Sequence, residues 1–117
     1  MRLPGPWVWR AATVLAIVGM TVLALLPISQ LPSPLLDLWD KAQHAAAFAV
    51  LAFLARLGWP TTPAWRTALV LLAYGAVIEL AQGATGYRFG DVADFVADAV
   101  GVMVGLGVAV GVGRRLG

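Results

Sequence analysis

Hydrophobic residues fall into four long runs, each close to the length of about 20 residues that an α-helix needs to cross a membrane. The first run contains sixteen consecutive uncharged residues, 11–26. Prolines, glycines and polar residues separate the runs, as expected for helix ends and connecting loops. The pattern predicts an all-α membrane protein, a bundle of four transmembrane helices at about 7–26, 38–57, 64–82 and 91–112.

The predicted helix ends coincide with residues that stop or start helices. Gly58 and Pro60 end the second helix, and Thr62 is expected to cap the third. A glycine-containing loop, 83–90, follows the third helix, and Asp91 is a candidate N-cap of the fourth. The first helix is expected to stay uncleaved, since its apolar run is at the long end for a signal peptide.

Composition supports a membrane protein and excludes several other classes. The chain of 117 residues is 61% hydrophobic and only 12% charged, and its mean hydropathy is +0.86. A soluble domain of this size could not cover so much apolar surface. We therefore predict one membrane domain, 1–117, with its polar motifs at about 36–110. The absence of cysteine excludes disulfides and thiolate chemistry.

Charged residues are sorted between alternate segments of the chain. Six of the eight basic residues lie at the N-terminus, beside the second loop and at the C-terminus: Arg2, Arg10, Arg56, Arg66, Arg114 and Arg115. Because cytoplasmic segments are enriched in arginine and lysine, we expect both termini in the cytoplasm and a multi-pass protein of the bacterial inner (cytoplasmic) membrane. Membrane topology thus accounts for the excess of basic over acidic residues, and no nucleic-acid partner is needed to explain it.

Polar residues recur at helical spacing on three of the predicted helices. On each helix they lie near the end that reaches the same face of the membrane. The candidate binding residues are Asp40, Lys41, His44, Glu79, Gln82, Arg88, Asp91, Asp94 and Asp98. Asp40 and Asp91 also fit helix caps, and Lys41 could extend to the interface. A charged Asp98 facing lipid would cost about 2.5–3.5 kcal/mol, so we expect its side chain to face the bundle interior, protonated, paired or both.

Carboxylates outnumber bases in this polar region. The surplus must be relieved by protons shared among the carboxyls or by a bound cation. His44, Glu79 and Asp94 form a nitrogen-and-oxygen set suited to a zinc-type ion, although their spacing is not that of a metal motif. The same three residues are candidates for acid–base catalysis, with Lys41 and Arg88 holding an anionic group. No cofactor is established by these patterns, and a divalent cation stays an open alternative.

Glycines recur at small-xxx-small spacing in the fourth helix. Gly101 and Gly105 form one pair, and Gly107 and Gly111 form another. Such pairs let two helices approach closely in a membrane. Either packing within the bundle or an oligomer formed through the Gly101/Gly105 face satisfies the pattern.

The polar motifs together resemble those of the VanZ-like family of small bacterial membrane proteins. The resemblance rests on Asp40-Lys41-x-x-His44-x-x-x-Phe48, Glu79-x-x-Gln82 and Arg88-x-x-Asp91-x-x-Asp94-x-x-x-Asp98-x-x-Gly101-x-x-x-Gly105. The family pattern usually has asparagine where this chain has Asp98. The resemblance implies a cell-envelope membrane protein, whose namesake is linked to resistance against teicoplanin, and it does not supply a reaction.

Three functions are compatible with these features. The first is an outward-facing polar pocket that binds a glycopeptide antibiotic, a lipid-linked envelope precursor or a lipid headgroup, with a contribution to glycopeptide resistance. The second is a small membrane enzyme that modifies or hydrolyses a lipid-linked envelope substrate. The third is a proton-coupled carrier, which ranks last because the inner half of the bundle carries no comparable charge.

Overall fold

The computed structural model describes residues 3–25, 34–86 and 92–116, with the side chains of 34–40 and 114–116 left out of that description. It contains four α-helices: α1 (Pro6–Leu25), α2 (Pro34–Gly58), α3 (Ala64–Thr85) and α4 (Val92–Leu116). Their ends lie within four residues of the predicted ones, and the described part contains no strand. The prediction of an all-α four-helix protein is therefore confirmed.

The connection between α2 and α3 differs from the predicted one. Pro63 occupies the N-cap of α3 and no side chain caps this helix, so the assignment of Thr62 as its cap is wrong. The carbonyl of Thr62 instead accepts a hydrogen bond of 2.6 Å from Arg56 Nη1. At its other end α3 continues to Thr85 and stops at Gly86, whose φ of 78° is in the left-handed region that favours glycine.

The surface of the bundle is apolar, whereas its interior contains ionisable groups. Leu15, Val70, Leu80 and Met103 are each at least two-thirds exposed; their exposed fractions are 73%, 67%, 75% and 68%. The buried polar side chains of the described residues are Thr13, Thr67, Glu79, Gln82, Asp94 and Asp98. This arrangement suits a bilayer, in which apolar side chains face lipid and polar ones turn inward.

Three of the helices are long and apolar enough to cross a membrane: α1, α3 and residues Val92–Gly113 of α4. Among the described residues, α2 does not reach the same hydropathy, because Lys41, His44 and Arg56 interrupt its apolar sequence. Its 25 residues are nevertheless long enough, at 1.5 Å per residue, to span about 37 Å. A fourth crossing by α2 stays a prediction.

Helices α2 and α4 run parallel and make the most extensive contact in the bundle. Positions that meet across this contact increase together along both helices, from Lys41 and Asp94 to His44 and Asp98, then Ala45 and Gly101. A Cβ atom at Gly101 would overlap the carbonyl oxygen of Ala45, and one at Gly105 would overlap that of Ala49. The Gly101/Gly105 face therefore packs within this chain, which was one of the two alternatives left open by the sequence.

The core forms where α1 and α3 pack against the α2–α4 pair. Its fully buried side chains are apolar and come mainly from α2 and α4: Phe48, Leu51, Ala52 and Val102. The ring of Phe48 lies 5.8 Å from that of Tyr74 on α3, centroid to centroid, and Trp9 on α1 meets Phe53 edge-on at 6.2 Å. Aromatic contacts of this kind add to the packing energy of the bundle.

The two ends of the bundle carry different charges. Arg10 lies beside the end of α2, where its Nε donates a hydrogen bond of 2.6 Å to the carbonyl oxygen of Gly58. Arg56 lies at the same end and donates to the carbonyls of Pro60 and Thr62. The described carboxylates lie toward the opposite end, with Lys41 and His44. The charge sorting expected from the sequence is thus present along the bundle axis, while the side of the membrane that each end faces stays a prediction.

Substitution of the buried glycines tests the packing of α2 on α4. We expect Gly101→Ala to lower the free energy of unfolding by about 1–3 kcal/mol, because the added methyl group forces α4 away from the backbone of α2. The measurement is denaturant unfolding of the protein in detergent micelles. Gly107→Ala is the matched control, since no atom lies within 4 Å of a Cβ built there; equal stability of the two variants would contradict the close contact.

Candidate functional site

A cluster of polar side chains lies between three helices at the carboxylate-rich end of the bundle. We call it the polar cluster: Lys41 and His44 from α2, Glu79 and Gln82 from α3, and Asp94 and Asp98 from α4. Spacings of three and four residues place both members of each pair on one face of their helix. The polar cluster is therefore assembled by helical periodicity and by the parallel alignment of α2 with α4.

The centre of the polar cluster is the imidazole of His44. Its Nδ1 lies 2.9 Å from Asp98 Oδ1 and 3.7 Å from Glu79 Oε1. The Asp98 side chain is fully buried, that of Glu79 is 10% exposed and that of His44 is 14% exposed. One donor atom from each residue can be chosen so that all three lie within 4.8 Å of one another. Two carboxylates and one imidazole therefore share a space from which water is largely excluded.

Gly75 makes room for the Asp98 carboxylate. A Cβ atom at this position of α3 would lie 3.0 Å from Asp98 Oδ2 and 3.3 Å from the ring of Phe48. Since even a methyl group would crowd the carboxylate, the backbone of α3 forms one wall of the site. Gly75 was not singled out by the sequence reasoning, although it lies four residues before Glu79 and so on the same helical face.

Lys41 and Asp94 form a second charged pair nearer the end of the bundle. Lys41 Nζ lies 3.5 Å from Asp94 Oδ1, with the two side chains 24% and 6% exposed. The ammonium group balances the carboxylate, so this pair is neutral overall. Asp94, which the sequence grouped with His44 and Glu79 as a metal or catalytic set, is thus found beside Lys41, and Asp98 takes its place beside His44.

Gln82 joins α1 to the polar cluster. Its Nε2 donates a hydrogen bond of 3.1 Å to the carbonyl oxygen of Ala24, in the last turn of α1. The residue is 4% exposed, and its Oε1 has no hydrogen-bond donor within the described part of the chain. A buried amide oxygen without a donor costs free energy, so this atom is suited to accept a hydrogen bond from a ligand or to coordinate a cation.

Tyr74 and Thr21 extend the polar contacts toward the middle of the bundle. Their hydroxyl oxygens are 2.6 Å apart, and Thr21 also donates to the carbonyl of Ile17 at 2.8 Å. Neither residue was predicted as part of the site. A tyrosine within an apolar helix is common enough that its sequence position alone carries no such signal.

Three of the predicted site residues have side chains outside the described part of the chain. Arg88 and Asp91 lie outside the described residues, and so does the side chain of Asp40, although its backbone belongs to α2. The structure brings together the other six, Lys41, His44, Glu79, Gln82, Asp94 and Asp98. Their roles in binding or catalysis stay predictions.

Charge balance restricts what the polar cluster can do. Beside the Lys41–Asp94 pair, the polar cluster places two carboxylates, Glu79 and Asp98, against the imidazole of His44. Two ionised carboxylates in a water-poor interior are costly unless their charges are compensated. These charges are relieved when two protons are distributed among His44, Glu79 and Asp98, or when a divalent cation binds between them. The first state provides a proton donor and acceptor, and the second an electrophilic centre.

A double-mutant cycle tests the pairing of Lys41 with Asp94. Lys41→Met and Asp94→Asn should each destabilise the protein, because each removes the opposite charge that lies 3.5 Å from its partner. We expect a coupling free energy of about 0.5–3 kcal/mol between the two substitutions, measured by unfolding in detergent. The control cycle combines Lys41→Met with Thr61→Ala, an exposed position in the α2–α3 loop, and should be additive; additivity in both cycles would disprove the pairing.

Comparison with known proteins identifies the family of this bundle. A model of the VanZ/LLP1 family matches residues 6–113. No curated protein and no solved structure shows a significant match to the chain. The matched region contains the four helices of the bundle nearly to their ends, including every described residue of the polar cluster. Because the match covers nearly the whole chain, the protein belongs to the VanZ-like family.

Proposed function

We propose that this VanZ-like protein is a cell-envelope protein of the cytoplasmic membrane whose polar cluster faces outward and binds the polar headgroup of a lipid-linked envelope molecule. The observation that carries the proposal is the burial of Glu79, Asp94 and Asp98 around His44 and Lys41, inside a bundle whose surface is apolar. Intramembrane ionisable groups are expensive to bury, and they commonly mark a binding or transport site.

The distribution of arginines supports the proposed orientation. Arg10 and Arg56 lie at the end of the bundle where α2 ends and α3 begins, opposite the polar cluster. The positive-inside rule assigns this end to the cytoplasm, which puts both termini there if α2 crosses the membrane. A crossing by α2 is supported by its alignment with α4 and by the complete burial of Leu51 and Ala52 in the core.

The dimensions of the site favour a headgroup over a large soluble ligand. Only Lys41 and His44 expose more than a tenth of their side chains, so a bulky glycopeptide could present only a small part to the cluster. A shallow apolar groove of about 350 Å³, largely open to the surroundings, lies on the outer surface of α4 and is lined by Phe95, Val96, Ala99, Val100, Met103 and Val104. Within a membrane-spanning segment such a groove is suited to a hydrocarbon chain, which a lipid-linked molecule would supply.

A physiological role follows from this binding. A protein that holds a lipid-linked envelope precursor, or the antibiotic that recognises it, changes the amount of precursor available to that antibiotic. We therefore include a contribution to glycopeptide resistance, teicoplanin among the drugs, in the proposed function. Binding of membrane lipid alone is the simplest form of the same proposal.

An enzymatic function on a lipid-linked substrate is the second candidate. It is favoured by the 2.9 Å contact between His44 and Asp98, which orients an imidazole as carboxylates do in acid–base catalysis. Glu79 Oε1 at 3.7 Å from the same nitrogen could exchange a proton with it. A proton-coupled carrier is less well supported, since in the described part of the arginine-rich half the buried polar side chains are the hydroxyls of Thr13 and Thr67.

Cysteine labelling tests the orientation. In this cysteine-free chain, Ala84→Cys at the exposed end of α3 should react with a membrane-impermeant maleimide in intact cells or spheroplasts. Thr61→Cys, exposed in the α2–α3 loop, should react only after permeabilisation. The pair of labelling patterns follows from the proposed positive-inside orientation, and the reverse pattern would invert the assignment.

Site substitutions test the function itself. His44→Gln, Glu79→Gln, Arg88→Gln and Asp94→Asn should each bring glycopeptide sensitivity and envelope lipid composition to those of a deletion strain. The control is Gln43→Ala, an exposed position next to His44, and all variants are compared at equal membrane abundance. Wild-type behaviour of every site variant would refute a role for the polar cluster.

The same strains separate binding from catalysis. An enzyme converts one lipid-linked species into another, so its loss should make one lipid accumulate and another disappear in mass spectra of extracted lipids. A binding protein should change antibiotic sensitivity without converting any lipid. Either result is compatible with a polar site, and only the first supports the enzymatic candidate.

A further inference from the structure

The geometry points to a site for one divalent transition-metal ion, of the Zn²⁺ type, held by His44, Glu79 and Asp98. This inference deepens the proposed function, since it concerns the same polar cluster, but it stands on the arrangement of three donor atoms and on their charge. One donor from each residue lies within 4.8 Å of the other two. The residues come from three different helices, so the fold and not a short sequence motif brings them together.

The distances from His44 Nδ1 to the two carboxylate oxygens are close to those that a small ion requires. Zinc bonds to histidine nitrogen and carboxylate oxygen are about 2.0–2.2 Å long, so two ligands in tetrahedral geometry lie about 3.3–3.6 Å apart. The observed separations from His44 Nδ1, 2.9 Å to Asp98 Oδ1 and 3.7 Å to Glu79 Oε1, lie on either side of this value. Small side-chain movements would therefore complete the coordination.

Charge favours a divalent ion over a monovalent one. Glu79 and Asp98 contribute two negative charges when ionised, and a metal-bound histidine is neutral. A doubly charged cation brings this group to zero net charge within a buried region. Lys41 and Asp94, the neighbouring charged pair, already balance each other at 3.5 Å. Thr21 of α1, which contacts Tyr74 through its hydroxyl, carries no charge.

A buried amide oxygen on the same helical face as Glu79 supports an ion in this cluster. Gln82 lies one turn beyond Glu79 on the same face of α3, 4% exposed, with its Oε1 lacking a donor in the described chain. An amide oxygen of this kind accepts a hydrogen bond from metal-bound water or binds the ion directly. Separately from any ion, Gly75 leaves room for the Asp98 carboxylate itself, since a Cβ atom there would lie 3.0 Å from Oδ2.

Three protein ligands leave at least one coordination position open. Zinc sites with three protein ligands and an open position bind water or a substrate oxygen. In this protein a phosphate or carbonyl oxygen of the proposed headgroup would be the natural occupant, because Lys41 lies near the exposed end of the cluster. The ion thereby explains how an anionic group could bind among carboxylates that would otherwise repel it.

Metal analysis of the full chain tests this inference. Protein purified in detergent is treated with a chelator, equilibrated with Zn²⁺ and assayed for bound metal, and Co²⁺ is added separately to record its visible absorption. We expect one ion per chain. Glu79→Gln and Asp98→Asn, which keep the shape of each side chain, should weaken binding at least about 10-fold and abolish the Co²⁺ spectrum.

Asp94→Asn is the matched control, because it removes the same charge one turn away on α4 while leaving the three ligands intact. It should retain one ion per chain and the Co²⁺ spectrum. Loss of metal in Asp94→Asn together with retention in Asp98→Asn would overturn the ligand set. Melting temperature and elution volume of each variant identify misfolding, and Glu79→Gln serves if Asp98→Asn does not fold.

The competing state, in which protons balance the carboxylates, has its own signature. A protonated Asp98 gives an infrared carbonyl band that disappears in Asp98→Asn. That band, together with wild-type protein that binds neither Zn²⁺ nor Co²⁺, would overturn the metal site. The proposed headgroup function is judged separately by glycopeptide sensitivity and lipid composition, so the failure of one proposal is distinguishable from the failure of the other.

Discussion

Close contact between two parallel helices controls the geometry of this protein. Gly101 and Gly105 allow α4 to lie directly against the backbone of α2 at Ala45 and Ala49. In a bilayer the hydrophobic effect contributes little to helix association, so such backbone contact and polar pairing must stabilise the bundle. The contact also sets the register between the helices, and that register places Asp98 beside His44 and Asp94 beside Lys41.

The interior of the bundle then combines two opposing requirements. Its apolar part is closely packed around Phe48, Leu51 and Val102. One end of the same interior holds Glu79 and Asp98, which are stable there only when their charges are balanced. Proteins retain such costly groups where they act on a ligand, a proton or an ion, and this reasoning underlies both the proposed headgroup site and the inferred metal site.

The arginine-rich end has a different character. Arg10 and Arg56 donate hydrogen bonds to backbone carbonyls of Gly58, Pro60 and Thr62 and so stabilise the α2–α3 connection. The same arginines mark the proposed cytoplasmic side. Helix ends leave carbonyls without partners, and guanidinium groups satisfy them well. The polar cluster instead directs its hydrogen-bonding groups at one another and toward the bundle interior. At one end of the bundle the charged groups stabilise the backbone, and at the other end they form the candidate functional site.

The sequence by itself determined the helices, their approximate ends, the membrane class and the residues of the polar cluster, since hydrophobic run length and helical periodicity are local properties. The local pattern could not decide which carboxylate meets His44, because Asp94 and Asp98 lie on the same face of one helix. Nor could it show that Gly101 packs within the chain, or that Gly75 makes room for a carboxylate. Each of these contacts depends on how far one helix is shifted along its neighbour. That shift is set only by the tertiary packing of α2 against α4 and of α3 against both.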